Sequence, residues 1–173
     1  MNRNWLRWTL LGQVLFFAGW AGFEESKRYS APIILLETMP VDPRDLFAGQ
    51  YMALRYRIGL VDGLPGFPKE KPKNRAEIAV LLKPSKNVFV GGKGYQLWEA
   101  VRCQVPPPEN LKTAEGLWVV GNWVARNNVI FGIERYYFSE KRMNEFSGIG
   151  SGKVYVEAIL SKGGKLALKN LVY

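Results

Sequence analysis

Leu117-Trp-Val-Val-Gly-Asn-Trp-Val-Ala-Arg-Asn-Asn-Val-Ile-Phe-Gly-Ile-Glu-Arg-Tyr-Tyr-Phe138 is the stretch whose reading decides the fold. Two runs rich in β-branched and aromatic residues flank Arg126-Asn127-Asn128, and asparagine tolerates the positive φ that tight hairpin turns need. Leu117–Ala125 and Val129–Phe138 are therefore expected to pair as an antiparallel hairpin.

Further strands are expected on both sides. Downstream, Lys153–Leu160 and Leu166–Val172 form a second hairpin across Ser161-Lys-Gly-Gly164. Between the hairpins, Ser139 caps a short helix over Glu140–Phe146, and Ser147–Gly152 is a glycine-rich connector. Upstream, Tyr95–Cys103 and Val88–Val90 are strands joined by Gly91-Gly-Lys-Gly94. Pro84-Ser-Lys-Asn87 is a turn, and Ala76–Lys83 is a strand. Val61–Arg75 is a Gly-, Pro- and Lys-rich loop. Gln50–Leu60 alternates as a strand does: Met52, Leu54, Tyr56 and Ile58 share an apolar face, while Tyr51, Ala53, Arg55 and Arg57 share a mixed one. Ile33–Leu36 is a further short strand. The expected fold class is mainly β: about eight or nine strands closing into an antiparallel barrel or a sandwich-like domain with one short helix.

The N-terminus differs in kind. Trp8–Phe23 carries no charge, Arg3 and Arg7 precede it, and Glu24, Glu25, Lys27 and Arg28 follow. These sixteen residues cover about 24 Å as a helix, against a hydrocarbon core of about 30 Å. Trp5, Trp8 and Trp20 lie near the ends, where indoles favour the membrane interface. An uncleaved signal anchor with a cytoplasmic N-terminus competes with a cleaved signal peptide ending at Gly19-Trp20-Ala21 and with a helix of the globular domain. The signal anchor sets the expected division: residues 1–23 transmembrane, 24–31 a charged stalk, and 32–173 an extracytoplasmic β domain.

Composition narrows the chemistry. The chain has 173 residues, one cysteine, no histidine and a net charge of +9. Triads built on histidine and zinc held by His or by several cysteines are thereby excluded. The excess of Lys and Arg suits an anionic partner such as lipid headgroups or a cell-wall polymer. Its spread along the chain speaks against nucleic acid. Gly91-Gly-Lys-Gly94 lacks the spacing and the Lys-Ser/Thr ending of a phosphate-binding loop, so no cofactor is expected. Asp42 and Asp45 lack the regular carboxylate spacing of a calcium loop, so no metal is expected.

Val41-Asp-Pro-Arg-Asp-Leu-Phe47 followed by Gly49-Gln-Tyr-Met-Ala-Leu-Arg-Tyr56 resembles the signature of the GDYXXLXY proteins, a family of bacterial membrane-anchored proteins of unknown function. Gly49, Tyr51, Leu54 and Tyr56 match the named positions; Gln50 stands where the family has aspartate. Phe131–Phe138, Lys153–Glu157 and Gly164–Leu171 are similar to downstream parts of the family. The resemblance spans roughly residues 25–172. It implies an anchored periplasmic domain and, because related genes often accompany genes for multi-spanning membrane proteins, a membrane partner.

The residues singled out are Asp42, Pro43, Arg44, Asp45, Gly49, Gln50, Tyr51, Leu54, Arg55, Tyr56 and Arg57 from the first block and Glu134, Arg135 and Tyr136 from the second. A structural role is open to all of them: Asp42–Asp45 as a turn, Gly49 as a hinge, Leu54 and Tyr56 as core, Arg44 as an ion-pair partner of Asp42, Asp45 or Glu134. A binding role uses Tyr51, Arg55 and Arg57 as contacts, since aromatic residues and arginine are enriched where proteins touch. An enzymatic role makes Thr38 the nucleophile and Lys83 or Lys86 its base, a Ser/Thr-Lys hydrolase distantly echoing signal peptidase. The expectation carried forward is a membrane-anchored accessory or binding domain; the hydrolase is the alternative.

Overall fold

The computed structural model describes residues 3–29, 31–39, 51–68, 70, 72–124, 128–137 and 153–173. The chain divides into two compact units, Met1–Ala31 and Pro32–Tyr173. The first holds a single helix, α1, Arg3–Tyr29, which runs on into the segment read as a stalk as far as Tyr29. Its large apolar side chains, among them Trp8, Leu15, Phe17 and Trp20, are exposed. The expected transmembrane span is not supported by this helix: among the described residues, none is long and apolar enough to cross a membrane. The physical reason lies in the run itself, where Thr9, Gly12, Gln13, Gly19 and Gly22 dilute the apolar content of a stretch already shorter than the bilayer core.

The second unit is built on strands. β1 is Ile33–Glu37, β2 Tyr51–Ala53, β3 Glu77–Val90, β4 Lys93–Gln104 and β5 Lys112–Thr113. β6 is Gly116–Val124, β7 Asn128–Ile130, β8 Arg135–Tyr137, β9 Tyr155–Leu160 and β10 Leu166–Val172. The large sheet runs β10-β9-β1-β4-β3-β6-β5, with β7 also paired to β6, and β2 and β8 form a separate two-stranded sheet. Among the described residues every strand pairing is antiparallel except β1 with β4, which meet in parallel at Leu35 and Leu97.

Among the described residues the sheet is open, not the closed barrel expected. It curls far enough for its distant parts to touch. The Ser161–Gly164 turn of the β9–β10 hairpin reaches β6, where the Val120 amide donates to the Gly164 carbonyl at 2.8 Å. Gly164 has φ +74°, and a Cβ there would lie 2.9 Å from Val120 Cγ2. Only a residue without a side chain fits this backbone conformation and this approach together.

Three expectations change against this frame. The long hairpin pairs as Asn122 with Ile130, Trp123 with Val129 and Val124 with Asn128. Its second arm then leaves β6 at Phe131-Gly132, where Gly132 takes φ +83°, and becomes β8 in the small sheet. Pro84-Ser-Lys-Asn87 is not a turn but an irregularity within β3, where Pro84 faces Trp98 and Asn87 faces Gln96. One extra residue in β3 is bulged out, and pairing with β4 resumes beyond it. The Gln50–Leu60 strand is regular only over Tyr51–Ala53; Tyr56 makes a lone bridge to Thr38, and Arg57–Gly59 is a 3-10 turn. The short helix expected over Glu140–Phe146 lies outside the described residues.

The alternation survives the break in that strand. Met52, Leu54, Tyr56 and Ile58 are all buried, and they join Ile34, Leu36, Ile78, Val80, Val119 and Val156 in the main core. Each such buried Leu, Ile or Met contributes about 1.5–3 kcal/mol of transfer free energy. The other face of the sheet carries two smaller clusters. Leu35, Leu97, Tyr155 and Val172 form one, and Val88, Val90 and Tyr95 from the β3–β4 hairpin pack against it. Ala79, Leu81 and Trp118 form the second.

Candidate functional site

The small sheet brings together the two sequence blocks that carried the resemblance. β2 and β8 pair with Tyr51 opposite Tyr137, Met52 opposite Tyr136 and Ala53 opposite Arg135. Met52 turns into the core while Tyr51 stays half-buried on the outer side. There the Tyr51 and Tyr137 rings lie 5.7 Å apart between centroids, and the Arg135 guanidinium sits 5.1 Å from the Tyr51 ring centre. A hydrogen bond with Tyr137, and then the two phenols' electrostatics, favour the charged form of Arg135. Tyr137 is 65 % exposed. This face offers two phenols and one guanidinium side by side.

The backbone leading into these strands is held by hydrogen bonds. The Tyr56 hydroxyl donates to the Ile133 carbonyl at 2.6 Å. Burial, and secondarily the nearby Glu134 carboxylate, pushes the Tyr56 phenol far above its ordinary range. Glu134 accepts from the amides of Phe131 at 2.5 Å and Gly132 at 2.9 Å, so its side chain holds the corner between β7 and β8. The backbone continues the ladder, because Leu54 N–H donates to the Glu134 carbonyl and Met39 N–H to the Arg55 carbonyl, both at 2.8 Å. The buried residues of the signature thus brace the exposed ones.

The remaining residues singled out from sequence separate from this cluster. Arg57 turns to Glu37, with 3.6 Å between charged atoms, and Lys153 approaches the same carboxylate at 3.5 Å. The Glu37 side chain is only 12 % exposed and stands at a cleft of about 210 Å³ shared with Leu60, Trp98 and Glu99. Arg55 is exposed, and Tyr136 is half-buried against the main core. Asp42, Pro43, Arg44, Asp45, Gly49 and Gln50 lie outside the described residues. Sequence reasoning passed over Tyr137 and Glu37. Tyr137 adjoins Tyr136 in the second block, whereas nothing in the sequence links Glu37 to Arg57.

The groups named for hydrolysis stand as follows. The Thr38 hydroxyl donates to the Val154 carbonyl at 2.6 Å, and Lys83 and Lys86 are exposed on β3. Cys103 is a free, buried thiol whose pKa is raised by burial, with Arg102 opposing. Among the described residues no group of three or more His, Cys, Asp or Glu gathers as a metal site.

The family model described as GDYXXLXY protein matches residues 13–171, nearly the whole chain, and this protein belongs to that family. No curated protein and no solved structure matches the chain.

Proposed function

We propose that this protein is a membrane-associated accessory domain that binds a membrane or envelope protein through the face formed by Tyr51, Arg135 and Tyr137. The observation that carries the reading is the clustering of those three side chains on one side of a two-stranded sheet, two tilted phenol rings with a guanidinium over one of them. Tyrosine and arginine are the residues most often found at the energetic centres of protein contacts, and prearranged side chains lose little entropy on binding. Glu134 and Tyr56 give the face its rigidity from below.

In this reading α1 supplies the attachment to the membrane. Its exposed apolar side chains favour a lipid or apolar helical environment, yet its uncharged run of about 24 Å is short for an independent span. A short segment is accommodated by local thinning or by packing against other membrane helices, and Gly12, Gly19 and Gly22 allow close helix approach. A multi-spanning membrane protein is therefore the fitting partner. Arg3 and Arg7 hold the N-terminus in the cytoplasm, which puts the β unit on the periplasmic side.

The test is affinity purification of the tagged full chain from detergent-solubilised native membranes. A discrete integral membrane protein should copurify with the wild type and fall at least tenfold with Arg135→Glu, which replaces the stacked cation by an anion. Equal recovery with both would overturn the proposal.

A further inference from the structure

The β3–β4 hairpin has a chemically distinct end. Strand alternation places Val88 and Val90 against the cluster of Leu35, Leu97, Tyr155 and Val172, so Phe89 is directed away from it. Phe89 is 81 % exposed, the most exposed large apolar side chain among the described residues. Its ring lies across Gly94, where an added Cβ would stand 3.2 Å from Phe89 Cε1. Covering that glycine still leaves about four-fifths of the side chain in water. Asn87 and Gln96, also on the hairpin, are exposed polar residues, so the position itself does not demand an apolar group.

Toward its end the hairpin carries charge of a single sign, whereas farther back Lys83 stands opposite Glu99 in the ladder. From Lys83 to Trp98 the chain holds three lysines, Lys83, Lys86 and Lys93, and no acidic residue. All three lysines are exposed. The Gly91-Gly92 turn has positive φ at both residues, and neither would meet another atom on gaining a Cβ, so the end of the hairpin is narrow and unobstructed.

We propose that this hairpin end is a second, lipid-binding element, which seats Phe89 in the interface of an anionic membrane while Lys86 and Lys93 engage the headgroups. A ring left 81 % exposed at the end of a hairpin suits a fluid, deformable surface better than a preformed protein pocket. With the hairpin end inserted edge-on, Phe89 on one face and Lys93, opposite Val90 on the other, supply the apolar wedge and the cation that anionic interfaces attract. Each lysine near such a surface strengthens partitioning about fivefold, and burial of the ring contributes about tenfold or more. The proposal is independent of the contact face on β2 and β8.

The full chain carrying an environment-sensitive fluorophore on Asn87→Cys tests it, because the label reports on the hairpin whatever α1 does. With vesicles of phosphatidylcholine and phosphatidylglycerol, the emission should shift to the blue and be quenched by lipids spin-labelled near the headgroup. With phosphatidylcholine alone, neither should occur. In the same background, Phe89→Ser should raise the lipid concentration for half-maximal change at least tenfold, and Lys86→Gln with Lys93→Gln about thirtyfold. These side chains are exposed, so the thermal midpoint should stay unchanged and separate lost binding from lost folding. A label that responds equally to both vesicle types, stays in water with both, or is unaffected by the substitutions would overturn the proposal. Staying in water is also the outcome expected if the hairpin instead meets an acidic protein.

Discussion

Replacing Tyr56 by Phe removes one oxygen and little else. The ring stays in the core, so no large cavity opens, but the Ile133 carbonyl loses the donor that reaches it at 2.6 Å. A net hydrogen bond is worth about 0.5–1.5 kcal/mol, and leaving a buried acceptor unmet brings the loss to about 1–3 kcal/mol. For a domain of this size that lowers Tm by about 2–4 °C for each kcal/mol. A second signature follows from the raised pKa of the Tyr56 phenol. Because the folded-state value lies above the unfolded one, near 10, this group's stabilisation is complete below about pH 10. It is lost above that, by up to about 1.4 kcal/mol per pH unit as the pH climbs toward the folded value. Urea melts of wild type and Tyr56→Phe between pH 8 and about 11 measure both effects, and the difference between the two proteins cancels the other tyrosines and the lysines. The variant should be less stable at pH 8, and the gap should narrow above about pH 10. A variant as stable as wild type at pH 8, with a parallel decline in alkali, would refute the placement of this hydroxyl.

Glu134→Ala should cost about 1.5–3 kcal/mol by urea melting, because two amides lose a charged acceptor, and Glu134→Gln should recover part of it. Gly164→Ala should destabilise by about 1–3 kcal/mol, since it forces a left-handed conformation on alanine and crowds Val120; hydrogen exchange at the Val120 amide should accelerate with it. Glu37→Gln should change stability by less than about 1 kcal/mol by thermal melting, because its partners Arg57 and Lys153 are well exposed. A C-terminal reporter fusion active outside the cytoplasm and silent inside it is the expected topology result.

Sequence periodicity was most informative where one strand meets one core face. Met52, Leu54, Tyr56 and Ile58 are buried as their spacing demands, even though the strand is regular over only three residues. The β9–β10 hairpin follows the expected boundaries closely, because Ser161-Lys-Gly-Gly164 is both a turn signal and the true turn. Long-range pairing was not legible. Pro84-Ser-Lys-Asn87 has turn composition, but β4 keeps pairing beyond it, so the extra residue is absorbed as a bulge. The parallel contact of β1 with β4 joins Leu35 and Leu97, far apart in the chain and with no local signature. The second arm of the long hairpin divides at Gly132 because the Glu134 carboxylate gathers the Phe131 and Gly132 amides, a side-chain contact that hydropathy does not record.

The candidate site was legible in part for the same reason. Tyr51 and Arg55 lie on the exposed side that alternation assigned to them, but Arg57 falls in a 3-10 turn and goes to Glu37. The partners of Tyr51, namely Arg135 and Tyr137, come from a strand more than 80 residues away. Only the pairing of β2 with β8 makes one face of them.

Site-specific photocrosslinking from Tyr137, replaced by benzoylphenylalanine in the full chain within native membranes, tests the central claim most directly. The account predicts one discrete adduct with an integral membrane protein, lost when Arg135→Glu is added and absent when the same probe replaces Lys112 on β5. Adducts that are identical from both positions, or that persist unchanged with Arg135→Glu, would contradict it.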